Sequence, residues 1–129
     1  VAFTEQHGGA LTGGAVRVFE IDGGLTTWSQ VGGIVAEATG LNEFEGNGLA
    51  FTSDGYTVIS GAYGYGNGLV TVKTEYGGTW YADQYIQGIY SNENFGTSVA
   101  ADNTGGYILA GGSNQNLARI FRNTNRMFC

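Results

Sequence analysis

The stretch Gly14-Ala-Val-Arg-Val-Phe-Glu-Ile-Asp-Gly-Gly24, followed by Trp28, decides the fold because it occurs twice. At the later position the chain reads Gly68-Leu-Val-Thr-Val-Lys-Thr-Glu-Tyr-Gly-Gly78, followed by Trp80. In both copies branched apolar residues alternate with other residues, which is the period of a β-strand. The Gly-Gly pair that ends each copy is typical of a tight hairpin turn.

The rest of the unit recurs as well. The segment from Phe44 to Gly55 aligns without gaps on the segment from Phe95 to Gly106, and a strand pattern follows each of them. Ala118-Arg-Ile-Phe121 repeats Val16-Arg-Val-Phe19, so a third unit begins near the end of the chain. The alternation predicts four short strands in each unit, near residues 15–21, 28–35, 48–52 and 57–62, and near 69–75, 80–86, 97–101 and 106–110.

Four short strands at a period of about 50 residues indicate an all-β protein of antiparallel, four-stranded blades of β-propeller type. The chain holds about two and a half repeats. Residues 1–15 are expected to end a preceding blade, 16–67 and 68–117 to form two full repeats, and 118–129 to start a further blade. Two units are too few for a closed ring of about 4–8 blades. We therefore expect a ring-forming subunit, a piece of a larger propeller or a filament subunit, and in each case no stable isolated monomer.

Composition agrees with this reading and excludes several classes of protein. Among 129 residues there are 24 Gly and no Pro, with 42% hydrophobic and 12% charged residues. Disordered chains need more charge, collagen needs a periodic Gly with Pro, and helical bundles avoid Gly. The formal charge of −6 disfavours nucleic-acid binding. No apolar run approaches the roughly 20 residues of a membrane helix, so membrane insertion is not expected.

Each unit resembles the FG-GAP repeat of the integrin-α N-terminal type of β-propeller. The Phe-Gly element is intact at Phe95-Gly96 and degenerate at Phe44-Glu45. The Gly-Ala-Pro element is represented by Gly61-Ala62-Tyr63 and Gly111-Gly112-Ser113. The resemblance covers nearly the whole chain and implies an extracellular or cell-surface protein.

Calcium, which blades of that family often hold, is not expected here. The corresponding loops, residues 63–68 and 113–116, contain no carboxylate, and calcium prefers clusters of oxygen ligands that include carboxylates. The sequence predicts neither a metal nor another cofactor.

Residues for catalysis are scarce, and we expect no enzyme. The single His, His7, and the single Cys, Cys129, lie near the two ends, so neither belongs to a nucleophile–base arrangement. Glu43 and Glu45 could form the carboxylate pair of a glycosidase, but such pairs in turns are usually solvated. Cys129 is either an unpaired thiol or the site of an intermolecular disulfide.

The leading hypothesis is a non-catalytic, extracellular repeat module for protein–protein contact, in structural assembly or adhesion. Its partners would be other copies of itself or other blades of a larger protein. Tyr63 and Tyr65 are the candidate contacts, because they lie in a Gly-rich loop where the repeat does not require them and Tyr is enriched at interfaces. The repeat aromatics are expected in the core: Trp28, Trp80, Phe44 and Phe95.

The alternative is an oligomeric propeller lectin that binds carbohydrate. Arg17 and Arg119 occupy equivalent positions in the repeat and could hydrogen-bond a sugar. Tyr63 or Tyr65 would then stack on the sugar ring. A glycan array distinguishes this alternative from pure protein contact.

Overall fold

The computed structural model describes residues 2–5, 13–37 and 43–122, and these ranges contain eleven β-strands and no helix. The strands alternate with tight turns along the chain. In order they are β1 (Ala2–Glu5), β2 (Ala15–Ile21), β3 (Trp28–Gln30), β4 (Ala36–Glu37), β5 (Glu45–Phe51), β6 (Thr57–Ala62), β7 (Leu69–Tyr76), β8 (Thr79–Gln87), β9 (Phe95–Ala101), β10 (Tyr107–Gly112) and β11 (Leu117–Arg122).

The strands form three successive antiparallel sheets. The first has the order β1-β2-β3, with β4 also paired to β2; the second is β5-β6-β7-β8; the third is β9-β10-β11. All named strand pairs are antiparallel neighbours. The all-β class and the four-stranded blade architecture are therefore confirmed. Each predicted sequence unit spans the last strands of one sheet and the first two strands of the next.

The predicted strand at residues 28–35 is interrupted in the structure. It forms β3, which pairs with one end of β2, and then resumes as β4, which pairs with the other end. Gly32 separates the two pieces with a φ of +69°, a conformation that L side chains rarely adopt. The strand pattern alone could not show this break.

The sheets stack face to face through two apolar clusters. Between the first and second sheets the buried cluster is Val16, Val18, Val35 and Val58. Between the second and third sheets it is Ile59, Val70, Val72, Phe95, Ile108 and Ala110. The second sheet is thus covered on both faces, and its strand β6 is buried along its whole length.

The first two strands of the third sheet repeat those of the second sheet with an offset of 50 residues, one fewer than the gapless sequence alignment predicts. Phe44 and Asn94 both have a positive φ and both accept a backbone hydrogen bond three residues later. The N–H of Glu45 bonds the Gly13 carbonyl as the N–H of Phe95 bonds the Asn67 carbonyl.

That offset corrects two of the sequence equivalences. The Phe-Gly element of the second sheet is Glu45-Gly46, not Phe44-Glu45. Tyr107 corresponds to Thr57 rather than to Tyr56. Both sheets have the same bulge at the start of β5 and β9, so the bulge does not cause the shift. The sequence alignment follows the identity of Phe44 and Phe95, whereas the backbone places Glu45 at the position that corresponds to Phe95.

Glycine has a second role here besides turn formation. Gly61 lies inside β6 against the backbone of Gly96, and a methyl group on Gly61 would overlap the Gly96 carbonyl oxygen. A methyl group on Gly48 of β5 would lie 2.6 Å from the same oxygen. The innermost strands of the second and third sheets therefore approach closely only because these positions lack side chains.

Replacing Gly61 with Ala tests this close approach. The φ of Gly61 is not in the left-handed region, so the cost of Gly61→Ala comes from the overlap with Gly96. We expect a loss of roughly 3 kcal/mol or more in the free energy of unfolding, measured by urea denaturation. The matched control is Gly23→Ala, which has open space around the added methyl group and should change stability by less than about 1 kcal/mol. Equal effects of the two substitutions would contradict the proposed packing.

Candidate functional site: the uncovered face of the third sheet

The third sheet has one covered and one uncovered face. Ile108, Ala110 and Phe121 pack against the second sheet. Because side chains alternate along a strand, the neighbouring residues point to the opposite face. We call that face the back face; it carries Ala100, Leu109, Ala118 and Ile120, and all four are exposed.

The internal repeat shows how unusual this exposure is. In the second sheet the corresponding side chains are Ile59 and Val72, which are 0% and 7% exposed beneath the third sheet. Their counterparts Leu109 and Ile120 are 43% and 73% exposed. The pairing is the same in both sheets, since Ile59 lies opposite Val72 and Leu109 opposite Ile120. The back face therefore has the side chains of a buried interface, and no sheet among the described residues covers it.

A shallow groove of about 290 Å³ runs across this face. Its walls are mainly apolar, and its one carboxylate is Asp102. The Asp102 carboxylate accepts hydrogen bonds from the Tyr107 N–H at 3.2 Å and the Thr104 hydroxyl at 2.9 Å. These bonds, the Tyr107 N–H first, lower the pKa of Asp102, so this carboxylate stays ionised and is held in the adjoining turn. The groove is therefore suited to binding an apolar surface rather than to catalysing a reaction.

The first sheet carries the opposite end of the stack. Val16 and Val18 face the second sheet, so Arg17 and Phe19 lie on the other face of β2. Trp28 shares that face, because it pairs with Ile21, two residues beyond Phe19. We call the face with Arg17, Phe19 and Trp28 the front face. Trp28 is 51% exposed, so its expected place in the core is wrong.

The other predicted core aromatics are covered to different degrees. Phe95 is fully buried between the second and third sheets, which confirms its expected position. Trp80 is half-buried and donates its indole N–H to the Val31 carbonyl at 2.8 Å, across to the first sheet. Phe44 is half-buried as well.

Arg119, predicted as a contact residue, is engaged within the chain. Its guanidinium forms an ion pair with Glu93, at 2.5 Å between Nη2 and Oε1. It also lies 4.9 Å from the centre of the Phe95 ring and 5.9 Å from that of Tyr90. These contacts hold the covered face of the third sheet against the loop between β8 and β9.

The remaining predicted residues lie apart from Arg119. Arg17, on the first sheet, donates from Nη1 to the Gln30 side-chain oxygen at 3.3 Å. Tyr63 stacks on Phe44, with 4.8 Å between ring centres. Tyr65 is exposed in the loop between β6 and β7. Cys129 and His7 lie outside the described residues.

A second cavity, of about 430 Å³, lies at one end of the second sheet. Two exposed aromatic rings, Tyr56 and Tyr76, line it together with Asp54, Thr57, Thr74, Glu75 and Gly77. The tilted ring of Tyr81 lies 6.2 Å from Tyr76 and supports it. The sequence did not single out this site, because its residues come from two strands and two turns that are separate along the chain.

Glu45 is the second feature that the sequence did not reveal. It occupies the position that Phe95 has in the third sheet, it is buried, and it accepts a hydrogen bond from the Ser60 hydroxyl. Burial raises the pKa of the Glu45 carboxyl, and the nearby Glu43 charge adds to this, against the lowering effects of Ser60 and the Lys73 ammonium. The predicted pairing of Glu43 with Glu45 as solvated turn carboxylates is therefore wrong for Glu45.

Glu93 has the opposite behaviour although it too is buried. Burial works to raise its pKa, but hydrogen bonds from the Tyr90 N–H, the Arg119 side chain and the Ile89 N–H, together with the Arg119 charge, outweigh it. The pKa of Glu93 therefore lies below its ordinary value.

Within residues 13–35 and 43–122, whose side chains are described, no three His, Cys, Asp or Glu side chains are grouped as metal ligands would be. The described part of the chain also has no helix that is long and apolar enough to cross a membrane. No protein-family model matches the sequence, and no curated protein matches it.

The two buried carboxyl groups predict opposite responses to pH. A raised folded-state pKa costs stability once the pH rises through it, so Glu45→Gln should raise the free energy of unfolding at pH 7. A lowered folded-state pKa adds stability above the unfolded-state value, so Glu93→Gln should lower it at pH 7. The Glu45→Gln difference should shrink as the pH falls through the raised pKa of Glu45, above the ordinary glutamate value of about 4.3. The Glu93→Gln difference should persist down to that ordinary value and shrink only below it. Denaturant titrations from pH 3 to 8 check this, and a pH-independent effect of either substitution would contradict the assignment.

Proposed function

We propose that the chain is a non-catalytic, extracellular repeat module that acts through protein–protein contact, in structural assembly or adhesion. The observation that carries this proposal is the uncovered back face of the third sheet. The FG-GAP resemblance of the sequence units supports the same function and the location outside the cell. The module either associates with its own copies or forms part of a larger propeller.

The energetics of the back face favour a covering partner. Burying a side chain such as Leu109 or Ile120 completely contributes about 1.5–3 kcal/mol. Exposed contiguous apolar surface marks interaction sites in soluble proteins. The partner surface should be another sheet, because a sheet covers the same side-chain positions in the second sheet.

Carbohydrate binding is a second candidate, favoured by the cavity beside Tyr56 and Tyr76. Tyrosine rings offer an apolar surface for a sugar ring, and the neighbouring hydroxyl and carboxylate groups offer hydrogen bonds. The Glu75 carboxylate accepts a hydrogen bond from the Gly78 N–H, which fixes its position at the cavity wall. The lectin would then use this cavity rather than Arg119, whose charge is engaged with Glu93.

Replacing Ile120 with Asp tests the contact function. We expect the wild-type chain to associate as its concentration rises, and Ile120→Asp to weaken association by about tenfold or more, since a charge cannot be buried there without cost. Sedimentation velocity over a concentration series measures this. The matched control is Leu25→Asp, which makes the same change of charge at an equally exposed apolar residue, 73% exposed, in the β2–β3 turn. A monodisperse wild-type monomer, or equal association of Ile120→Asp and wild type, would overturn the contact proposal.

Replacing Tyr76 with Ala tests the carbohydrate candidate. On a glycan array the wild-type chain should bind a defined set of sugars, and Tyr76→Ala should weaken that binding by about tenfold through the loss of ring stacking. Tyr65→Ala is the control, because Tyr65 is exposed in a loop outside the cavity. Absence of glycan binding rejects this candidate, and a loss confined to Tyr65→Ala moves the sugar site to the loop.

A further inference from the structure

The contact between the second and third sheets is a template for a further contact. In it, Phe121 packs on the cluster that includes Ile59 and Val72 and meets Phe95 edge-on, with 6.1 Å between the ring centres. Arg119, two residues earlier on β11, lies on the same side of the strand. An Arg-x-Phe pair on one sheet thus faces branched apolar residues on the sheet before it.

The front face of the first sheet carries the same pair. Arg17 and Phe19 stand at the positions of Arg119 and Phe121 in the sequence repeat, because Val16-Arg-Val-Phe19 aligns with Ala118-Arg-Ile-Phe121. Both Arg17 and Phe19 are half-buried within their own chain.

Trp28, which also lies on the front face, has a counterpart in the second sheet as well. Its counterpart is Trp80, since Trp28 pairs with Ile21 as Trp80 pairs with Glu75. Trp80 reaches the preceding sheet and donates a hydrogen bond to it, whereas Trp28 is 51% exposed. The first sheet therefore presents both the Arg-x-Phe pair by which the third sheet contacts the second and the Trp by which the second sheet contacts the first.

The back face of the third sheet presents the complementary surface. Leu109 and Ile120 are the counterparts of Ile59 and Val72, two members of the cluster on which Phe121 packs in the template. The two ends of the stack thus match each other, and each continues an interface already formed inside the chain.

We propose that the back face of the third sheet binds the front face of the first sheet of a second copy, head to tail. This inference rests on the proposed contact function and names its partner. The contact is heterologous: Phe19 of one copy meets Ile120 of the next, and neither residue meets its own counterpart. Repetition of such a contact gives a ring if the rotation between copies closes and a filament if it does not.

Crosslinking of single-cysteine variants tests the pairing. Every variant carries Cys129→Ala, which removes the one native thiol. Phe19→Cys mixed with Ile120→Cys should give a disulfide-linked dimer under mild oxidation. Each variant alone should give at most about a tenth of that yield, because the contact joins unlike positions. Leu25→Cys mixed with Ile120→Cys is the matched control and should also stay largely uncrosslinked.

A substitution on the front face gives a second test of the pairing, one that does not depend on a thiol. Trp28→Asp should weaken association by about tenfold or more in sedimentation velocity, as Ile120→Asp does. If Ile120→Asp abolishes association while Trp28→Asp does not, and Ile120→Cys crosslinks to itself, the back faces meet each other. The head-to-tail inference then falls while the contact function stands. If Ile120→Asp has no effect, the contact function itself falls.

Discussion

Face-to-face contact between successive sheets is the interaction on which the rest of the structure depends. The second sheet is covered on both sides, and its central strand β6 has no exposed residue. Such a strand is stable only where a neighbouring sheet removes each face from water. The contact is tight because Gly48, Gly61 and Gly96 let the backbones of the inner strands approach. The third sheet has similar apolar side chains at Leu109 and Ile120, and no sheet among the described residues covers them.

The repeated contact tolerates different chemistry at the same position. Between the second and third sheets, Phe95 meets Phe121 in an apolar setting. Between the first and second sheets the corresponding residues are Glu45 and Lys73, and Lys73 acts on the Glu45 charge. An edge-to-face ring pair is thus replaced by a carboxyl group that also hydrogen-bonds Ser60. Backbone geometry, rather than side-chain identity, is what the repeats share.

The sequence predicts the strands and their antiparallel order because alternation and hairpin turns are local signals. It does not predict which strands share a sheet, since each predicted unit spans parts of two sheets. Val16 and Val18, or Val70 and Val72, are recognisable as one face of a strand, and the structure buries all four. The one-residue shift of the repeat was not predictable, because the identity of Phe44 and Phe95 favours an alignment that is one residue longer than the backbone repeat.

The candidate site was less predictable than the fold. Exposure of Leu109 and Ile120 depends on which sheet covers them, and their sequence is as apolar as that of the buried Ile59 and Val72. The cavity beside Tyr56 and Tyr76 joins turns from two hairpins. Arg119 is a conspicuous charge in the sequence, yet its partner Glu93 comes from a loop 26 residues away.

The central claim is that the stack of sheets continues through the back face onto another chain. Isotope-filtered nuclear Overhauser spectra of a mixed sample, with one copy methyl-labelled at isoleucine and the other unlabelled, test it most directly. The account predicts intermolecular signals from the Ile120 methyl groups to aromatic protons, and none from those of Ile59, which is buried inside its own chain. Purely intramolecular signals from Ile120, at concentrations where the chain associates, would contradict the account.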